Sequence, residues 1–258
     1  MNTCRTIAEV REALAPLRSG SIGLVPTMGA LHNGHLALLR TARDECDTVV
    51  MSLFVNTAQF GDETDLAAYP RDEARDVELA GEAGVDLVFA PSHDEMYPPA
   101  YETWVDVTGL GTVLEGQFRP DHFRAVATVV LKLFTIVRPT HAYFGQKDAQ
   151  QVEVIRRLIR DLALEVELRV VPTVRDHDGL ALSSRNASLS SAERERALAL
   201  PRALATKSPR AAQDLLAASG LVVDYVERAD FDPPVLAAAV RIGSTRLIDN
   251  VILEGDET

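Results

Sequence analysis

The segment Gly23-Leu-Val-Pro-Thr-Met-Gly-Ala-Leu-His32-Asn-Gly-His35 constrains this chain more than any other stretch. The apolar run at residues 22–26 reads as a buried strand. Leu36, Leu38, Leu39 and the residues to about Arg43 continue as a helix. Between them lies a glycine-bearing turn carrying two imidazoles three residues apart. Such a turn belongs at the carboxyl edge of a parallel sheet, where the first N–H groups of the helix are unpaired and its dipole is positive. Phosphate oxygens bind well there. His32 and His35 would face the same oxygens and donate to them as negative charge grows during a displacement.

The His-x-Gly-His arrangement resembles the signature of the nucleotidyltransferase superfamily, which includes class I aminoacyl-tRNA synthetases and several cofactor-forming adenylyl- and cytidylyltransferases. Taken as structure alone, both histidines are helix-start surface residues. The preceding strand and the glycine-rich approach favour the phosphate reading.

Acidic residues outnumber basic ones by 38 to 26 over 258 residues, a formal charge of −12. That balance opposes nonspecific nucleic-acid binding, which relies on Lys and Arg displacing counterions. Small molecules are the expected partners, with no nucleic acid and no membrane. Cys4 and Cys46 are the only cysteines and show no paired-thiol or zinc spacing, which suits a reducing cytoplasm. No stretch approaches the roughly 20 apolar residues of a membrane span. Residues 1–18 alternate charged and apolar side chains as an amphipathic helix would.

From residue 22 to about 174, short β-branched runs alternate with helical patterns. Strands are expected at 22–26, 48–55, 85–90, 142–144 and 166–171, and helices at 71–83, 122–137 and 149–162. Right-handed crossovers would wind these into an α/β doubly wound parallel sheet, a Rossmann-like nucleotide-binding domain over residues 1–174. Residues 175–258 read as a smaller α+β C-terminal domain closing over the site. A helix-start signal stands at Ser190-Ser191-Ala192-Glu193, Pro201, Pro209 and the Lys207-Ser208 pair break the following helical stretch, and β-like runs lie at 221–226, 235–241 and 246–253.

Three further segments carry chemistry. Asn56 and Gln59 follow the second strand, and their amides can recognise hydroxyl or carboxylate groups; they equally suit a turn that satisfies its own backbone. Lys147 and Asp148 follow the fourth expected strand, with Gln151 four residues beyond on the same helical side. Lys147 suits nucleotide phosphates and Asp148 suits ribose hydroxyls, or the two form a solvated pair. Ser183, Ser184 and Arg185 combine hydroxyls with a guanidinium, a phosphate grip or a capping loop. Arg119 could reach the same cleft, and either arginine equally suits an ordinary surface charge.

Together and in order, Val25-Pro-Thr-Met-Gly-Ala-Leu-His32-Asn-Gly-His35, Phe54-Val-Asn56 with Gln59-Phe60, Leu114-Glu-Gly, Arg119-Pro, His122-Phe, Phe144-Gly with Lys147-Asp148 and Gln150-Gln151, and Ser183-Ser184-Arg185-Asn186 resemble the pantothenate synthetase family, the pantoate–beta-alanine ligases. Asp224-Tyr225 and Thr245-Arg-Leu-Ile-Asp249-Asn250 extend the likeness to nearly the full chain. The resemblance implies a homodimeric cytoplasmic ligase that condenses (R)-pantoate with beta-alanine through a pantoyl adenylate, using ATP and magnesium and releasing AMP and pyrophosphate. It implies that Gln59, Gln151, Pro26, Met28 and Arg119 serve pantoate and that His32, His35, Lys147 and Arg185 are catalytic. Met28, Gly34, His35, Gly145, Lys147, Asp148, Val174, Leu182, Ser183, Ser184 and Arg185 would meet ATP. Magnesium would ride on ATP oxygens, with no protein metal ligand.

Three positions depart from the family pattern. Thr57 stands where proline is usual, Ala125 where glycine is usual and Leu182 where methionine is usual. Thr57 could loosen the loop carrying Gln59, and Ala125 matters only if its backbone needs positive φ or a close approach. The segment between about 200 and 220 is short for the family. Two other readings compete: a transferase that leaves the nucleotide on its product, and a catalytically silent nucleotide-binding protein.

Overall fold

The computed structural model describes residues 1–61, 66–67 and 69–253. They group into two compact units, Met1–Phe144 with Val154–Val171, and Gly145–Glu153 with the described part of Pro172–Thr258.

The first unit is built on a six-stranded sheet in the order β1-β4-β3-β2-β5-β6. Its strands are β1 (Asn2–Cys4), β2 (Ile22–Thr27), β3 (Thr48–Leu53), β4 (Leu87–Phe89), β5 (His141–Gly145) and β6 (Glu167–Val171). The pairs β1–β4, β4–β3, β3–β2 and β2–β5 are parallel. Helices α1 (Ile7–Leu14), α2 (Asn33–Glu45), α3 (Glu73–Glu82), α4 (His122–Val137) and α5 (Ala149–Asp161) connect them. The chain steps one way along the sheet from β2 to β4 and the other way from β5 to β6, so the order reverses between β2 and β5. Sheets of this kind bind ligands beyond the carboxyl ends of the strands at that switch.

β2 and β3 are apolar nearly throughout because both faces of a parallel sheet are covered. Leu38, Leu39 and Ala42 of α2 and Ala80 of α3 pack with Val25, Val49, Met51 and Val88 in one core layer. Helix α4 is buried nearly all round, and its apolar run, unbroken by Gly or Pro, makes it the longest helix described.

The N-terminus differs from expectation. In place of one amphipathic helix, β1 pairs with β4 in the register Asn2↔Leu87 to Cys4↔Phe89, and α1 begins only after the Thr6/Glu9 capping box. Three residues with a single buried side chain, Cys4, are too short to leave an alternating pattern in the sequence.

The second unit centres on an antiparallel sheet of β7 (Val222–Ala229), β8 (Val235–Ile242) and β9 (Thr245–Ile252). Helices α6 (Ser191–Ala197), α7 (Ala199–Leu204) and α8 (Pro209–Ala218) supply Ala197, Leu200 with Leu204, and Leu216 respectively, which pack with Leu236, Val240 and Leu247. Ser190 caps α6 in the expected box with Glu193. The break expected at the Lys207-Ser208 pair is present, with Lys207 at φ 52 and Ser208 capping α8, but the two prolines do not break helices: Pro209 opens α8 behind that cap and Pro201 sits in the first turn of α7, where a missing N–H leaves no helical bond unmade. Among the described residues no helix is long and apolar enough to cross a membrane.

Candidate active site

In the first unit the approach to the histidines is held by one buried carboxylate. Beyond β2 the backbone turns left-handed at Gly29 (φ 85) and again at Ala30 (φ 52). Asp76 of α3, 2% exposed, accepts from Ala30 N–H at 2.9 Å and Leu31 N–H at 2.8 Å. A Cβ at position 29 would stand 2.7 Å from Asp76 Oδ2 and 2.9 Å from Leu53 Cδ1, so glycine alone fits. Tyr69 adds a hydroxyl donated to Gly29 O at 3.4 Å.

The chain thus reaches His32, the N-cap of α2, from a fixed direction. His32 Nδ1 accepts from Gly34 N–H at 3.1 Å, and His35 Nδ1 accepts from His32 N–H at 3.3 Å. The rings lie 4.1 Å apart between centroids. Two imidazoles perform the reciprocal cap that Ser and Glu usually make. Because each Nδ1 lone pair receives a backbone N–H, each neutral ring carries its proton on Nε2. Pro26 and Met28, both partly buried, sit at the end of β2 and just past it.

Gln59 closes a 3-10 turn, Thr57–Gln59, after β3. Its carbonyl accepts from Arg119 Nη2 at 3.2 Å and lies 2.9 Å from His122 Nδ1, so the structure brings Arg119 to Gln59. Its side-chain Oε1 accepts from Asn56 Nδ2 at 3.1 Å. The turn forms with threonine at position 57: Gln59 N–H donates to Asn56 O and Phe60 N–H to Thr57 O, both at 3.2 Å. Ala125 is helical, its N–H donating to Asp121 O at 3.0 Å, so this position does not need glycine's positive φ.

In the second unit Lys147 and Asp148 lie in the 3-10 turn Gln146–Asp148, directly before α5, with Gly145 ahead of them and Gln151 in the first turn of α5. Lys147 Nζ is 3.5 Å from Asp148 Oδ1. This turn is fastened to β9. Asn250 Nδ2 donates to Gln146 O at 2.9 Å and to Lys147 O at 2.8 Å, while its Oδ1 accepts from Gln146 Nε2 at 3.2 Å. Beside it, buried Asp249 accepts two hydrogen bonds from Arg175, at 2.6 and 3.1 Å.

Val174 and Leu182 face each other across a short hairpin, Leu182 N–H donating to Val174 O at 3.0 Å. Its turn is tied by Arg194, which reaches Asp176 Oδ2 at 2.6 Å and Asp178 Oδ2 at 2.7 Å. Hydrogen bonds from the His177 ring and backbone, with Arg194 beyond them, hold the Asp176 carboxyl down at about 2. Next comes the turn Ser184–Ser188, which Ser183 caps by accepting from Arg185 N–H at 3.3 Å; like the Lys147 turn, it packs against β9.

Of the expected residues, Pro26, Met28, His32, Gly34, His35, Gln59 and Arg119 belong to the first unit, where Arg119 meets Gln59, and Gly145, Lys147, Asp148, Gln151, Val174, Leu182, Ser183, Ser184 and Arg185 belong to the second, where the Lys147 and Ser184 turns share β9. Sequence reasoning missed Asp76 and the role of Asn250. Asp76 is one acid among several in a charged helix, and nothing in its spacing distinguishes a buried carboxylate from solvated neighbours. Among the described residues no three His, Cys, Asp or Glu side chains are grouped to hold a metal ion. The donor set of imidazoles, ammonium, guanidinium and hydroxyls suits phosphate oxygens that bring their own cation.

Comparison with known proteins gives one consistent result. The family model described as pantoate-beta-alanine ligase matches residues 2–252. A pantothenate synthetase of Pelotomaculum thermopropionicum is 50% identical over 279 aligned positions, covering 98% of this chain and 99% of that protein. One from Moorella thermoacetica is 51% identical, with 98% and 99% covered. The first alignment is longer than the 258 residues of the chain, so this chain lacks residues that its relative has. The crystal structure of pantothenate synthetase from Thermus thermophilus superposes with a TM-score of 0.93 at 46% identity, over 98% of this chain and 99% of that one. A pantoate-beta-alanine ligase from Francisella tularensis, described as complexed with beta-gamma ATP and beta-alanine, superposes with a TM-score of 0.90 at 34% identity, over 98% and 97%.

Proposed function

The chain belongs to the pantoate–beta-alanine ligase family, and from that premise we propose that its reaction runs through a pantoyl adenylate made by the residues described above. It is an ATP-dependent ligase joining pantoate to beta-alanine. A free carboxylate resists amine attack. Attack of the pantoate carboxylate oxygen on the α-phosphorus breaks the α–β phosphoanhydride bond and releases pyrophosphate, leaving a mixed anhydride. The beta-alanine amine then adds to its acyl carbon, loses a proton and expels AMP.

In this proposal His32 and His35 donate from Nε2 to the α-phosphate as its charge develops. Preorganised donors of this kind act chiefly in the transition state. The observation that carries the assignment is the reciprocal histidine cap, which leaves Nε2 as the protonated nitrogen of each neutral ring before substrate arrives. Lys147 and Arg185, with Ser183 and Ser184, take the outer phosphates, and Gly145 and Asp148 the ribose side. Met28, Gly34, Val174 and Leu182 line the nucleotide. Gln59 and Gln151 hold pantoate, with Pro26, Met28 and Arg119 beside it. Magnesium enters on the ATP oxygens. The homodimer and the cytoplasmic setting implied by the resemblance belong to the same proposal.

The test is a product balance. Purified protein given ATP, magnesium, pantoate and beta-alanine should form pantothenate, AMP and pyrophosphate in equal amounts. Formation of ADP in place of AMP, or no nucleotide product at all, would remove the reading.

A further inference from the structure

Tyr97 lies outside every motif used so far, on the residue after the single-turn helix His93–Met96, and is 6% exposed. Its hydroxyl is 3.0 Å from Asn56 Oδ1. Asn56, also buried, turns its other amide atom, Nδ2, to Ala125 O at 3.3 Å and to Gln59 Oε1 at 3.1 Å. Tyr97, Asn56, Gln59 and Ala125 all belong to the first unit.

The orientation of this chain of hydrogen bonds follows from what each atom can do. Ala125 O is a carbonyl and only accepts, so the Asn56 atom facing it is the NH2 group. The same NH2 faces Gln59, so the Gln59 atom opposite is the carbonyl oxygen. Asn56 Oδ1 then faces the Tyr97 hydroxyl, which must donate. Reversing either amide would set two oxygens or two NH2 groups against each other in a buried site. Burial also pushes the Tyr97 hydroxyl pKa up, so it stays a protonated donor throughout the neutral range.

We propose that Tyr97 is a positioning residue for pantoate: through Asn56 it fixes the Gln59 amide with Nε2 as the group offered to the substrate, so that Gln59 selects a hydrogen-bond acceptor, a carboxylate or hydroxyl oxygen. This rests on the reading of Gln59 as a pantoate residue. Without the Tyr97 hydroxyl, Asn56 Oδ1 loses its donor and the Asn56 amide keeps the 3.3 Å bond to Ala125 O as its anchor, so the Gln59 amide is held in its orientation less firmly. The hydrogen bonds of this relay run to Gln59 and Ala125 and to none of the described residues assigned to ATP.

The test is Tyr97→Phe, which deletes one oxygen and keeps the ring, read by separate KM values for pantoate and ATP. The expected result is a KM for pantoate raised about tenfold, the order of one lost hydrogen bond, with the KM for ATP unchanged. In a Gln59→Ala background the same change should have little further effect, because Tyr97 acts through Gln59. If Tyr97→Phe does not fold, Asn56→Asp decides, since its second oxygen repels both Ala125 O and Gln59 Oε1 and should give the same selective loss. An unchanged pantoate KM, a parallel rise in both KM values, or full additivity with Gln59→Ala overturns the proposal. Failure of the wild-type protein to make pantothenate would instead sink the underlying function, so the two failures are distinguishable.

Discussion

Asn250 Nδ2 donates to the backbone carbonyl of Lys147 at 2.8 Å, from a strand 103 residues further along the chain. The last strand of the small sheet thereby holds the main chain of the turn that carries the ammonium group assigned to ATP. Asn250→Ala removes both bonds to the turn carbonyls. Each such bond contributes about 1 kcal/mol net, so we expect the KM for ATP to rise about tenfold or more while the pantoate KM is spared. Steady-state kinetics on the folded variant, with circular dichroism as the folding control, give the answer. Equal change in both KM values would mean that Asn250 serves general stability only.

Replacing His35 by alanine removes a proposed phosphate donor and also the acceptor for His32 N–H. Loss of one preorganised donor typically slows the chemical step by about 10²–10³. Single-turnover formation of the adenylate should fall by that order with the melting temperature lowered only slightly, as expected for a helix cap. Wild-type turnover would end the assignment.

The core of the sheet was legible because buried parallel strands and long amphipathic helices each leave a period in the sequence. The helix at 122–137 was read to the residue, since an apolar run following Asp121 leaves little choice of register. The histidine turn was legible for the same reason, as a motif between two periodic elements. What the sequence hid were contacts between distant residues with no local period: Asp76 with Ala30, Asn250 with Lys147, and the pairing of β1 with β4. Ala125 and Thr57 show the complement. Proline at 57 and glycine at 125 are the residues expected from the resemblance, yet the turn forms with Thr57 and the helix with Ala125, each making its backbone hydrogen bonds.

Gly29→Ala tests the left-handed turn ahead of His32. Its Cβ would meet Asp76 Oδ2 at 2.7 Å in a backbone region unfavourable to L-residues. A loss of roughly 1–3 kcal/mol is expected from strain of this kind. Denaturant unfolding should show the lower midpoint, and adenylate formation should weaken with it. A midpoint equal to wild type would show that the loop adapts freely.

The acid limb of stability should carry the signature of Asp176. Its folded pKa, held at about 2 by His177 and Arg194, is below its ordinary value near 4, so its contribution is present above that ordinary value and is lost as pH falls through the folded one. Asp176→Asn should flatten the decline in unfolding midpoint between about pH 4 and pH 2. Identical acid limbs for the two proteins would argue against the hydrogen bonds around this carboxylate.

The most direct test follows an oxygen atom. Pantoate labelled with ¹⁸O in its carboxylate is converted with beta-alanine and ATP, and the nucleotide product is weighed by mass spectrometry. Attack on the α-phosphorus transfers one labelled oxygen to AMP, and that is the result this account predicts. Label in inorganic phosphate, or unlabelled AMP beside labelled pantothenate, would contradict it.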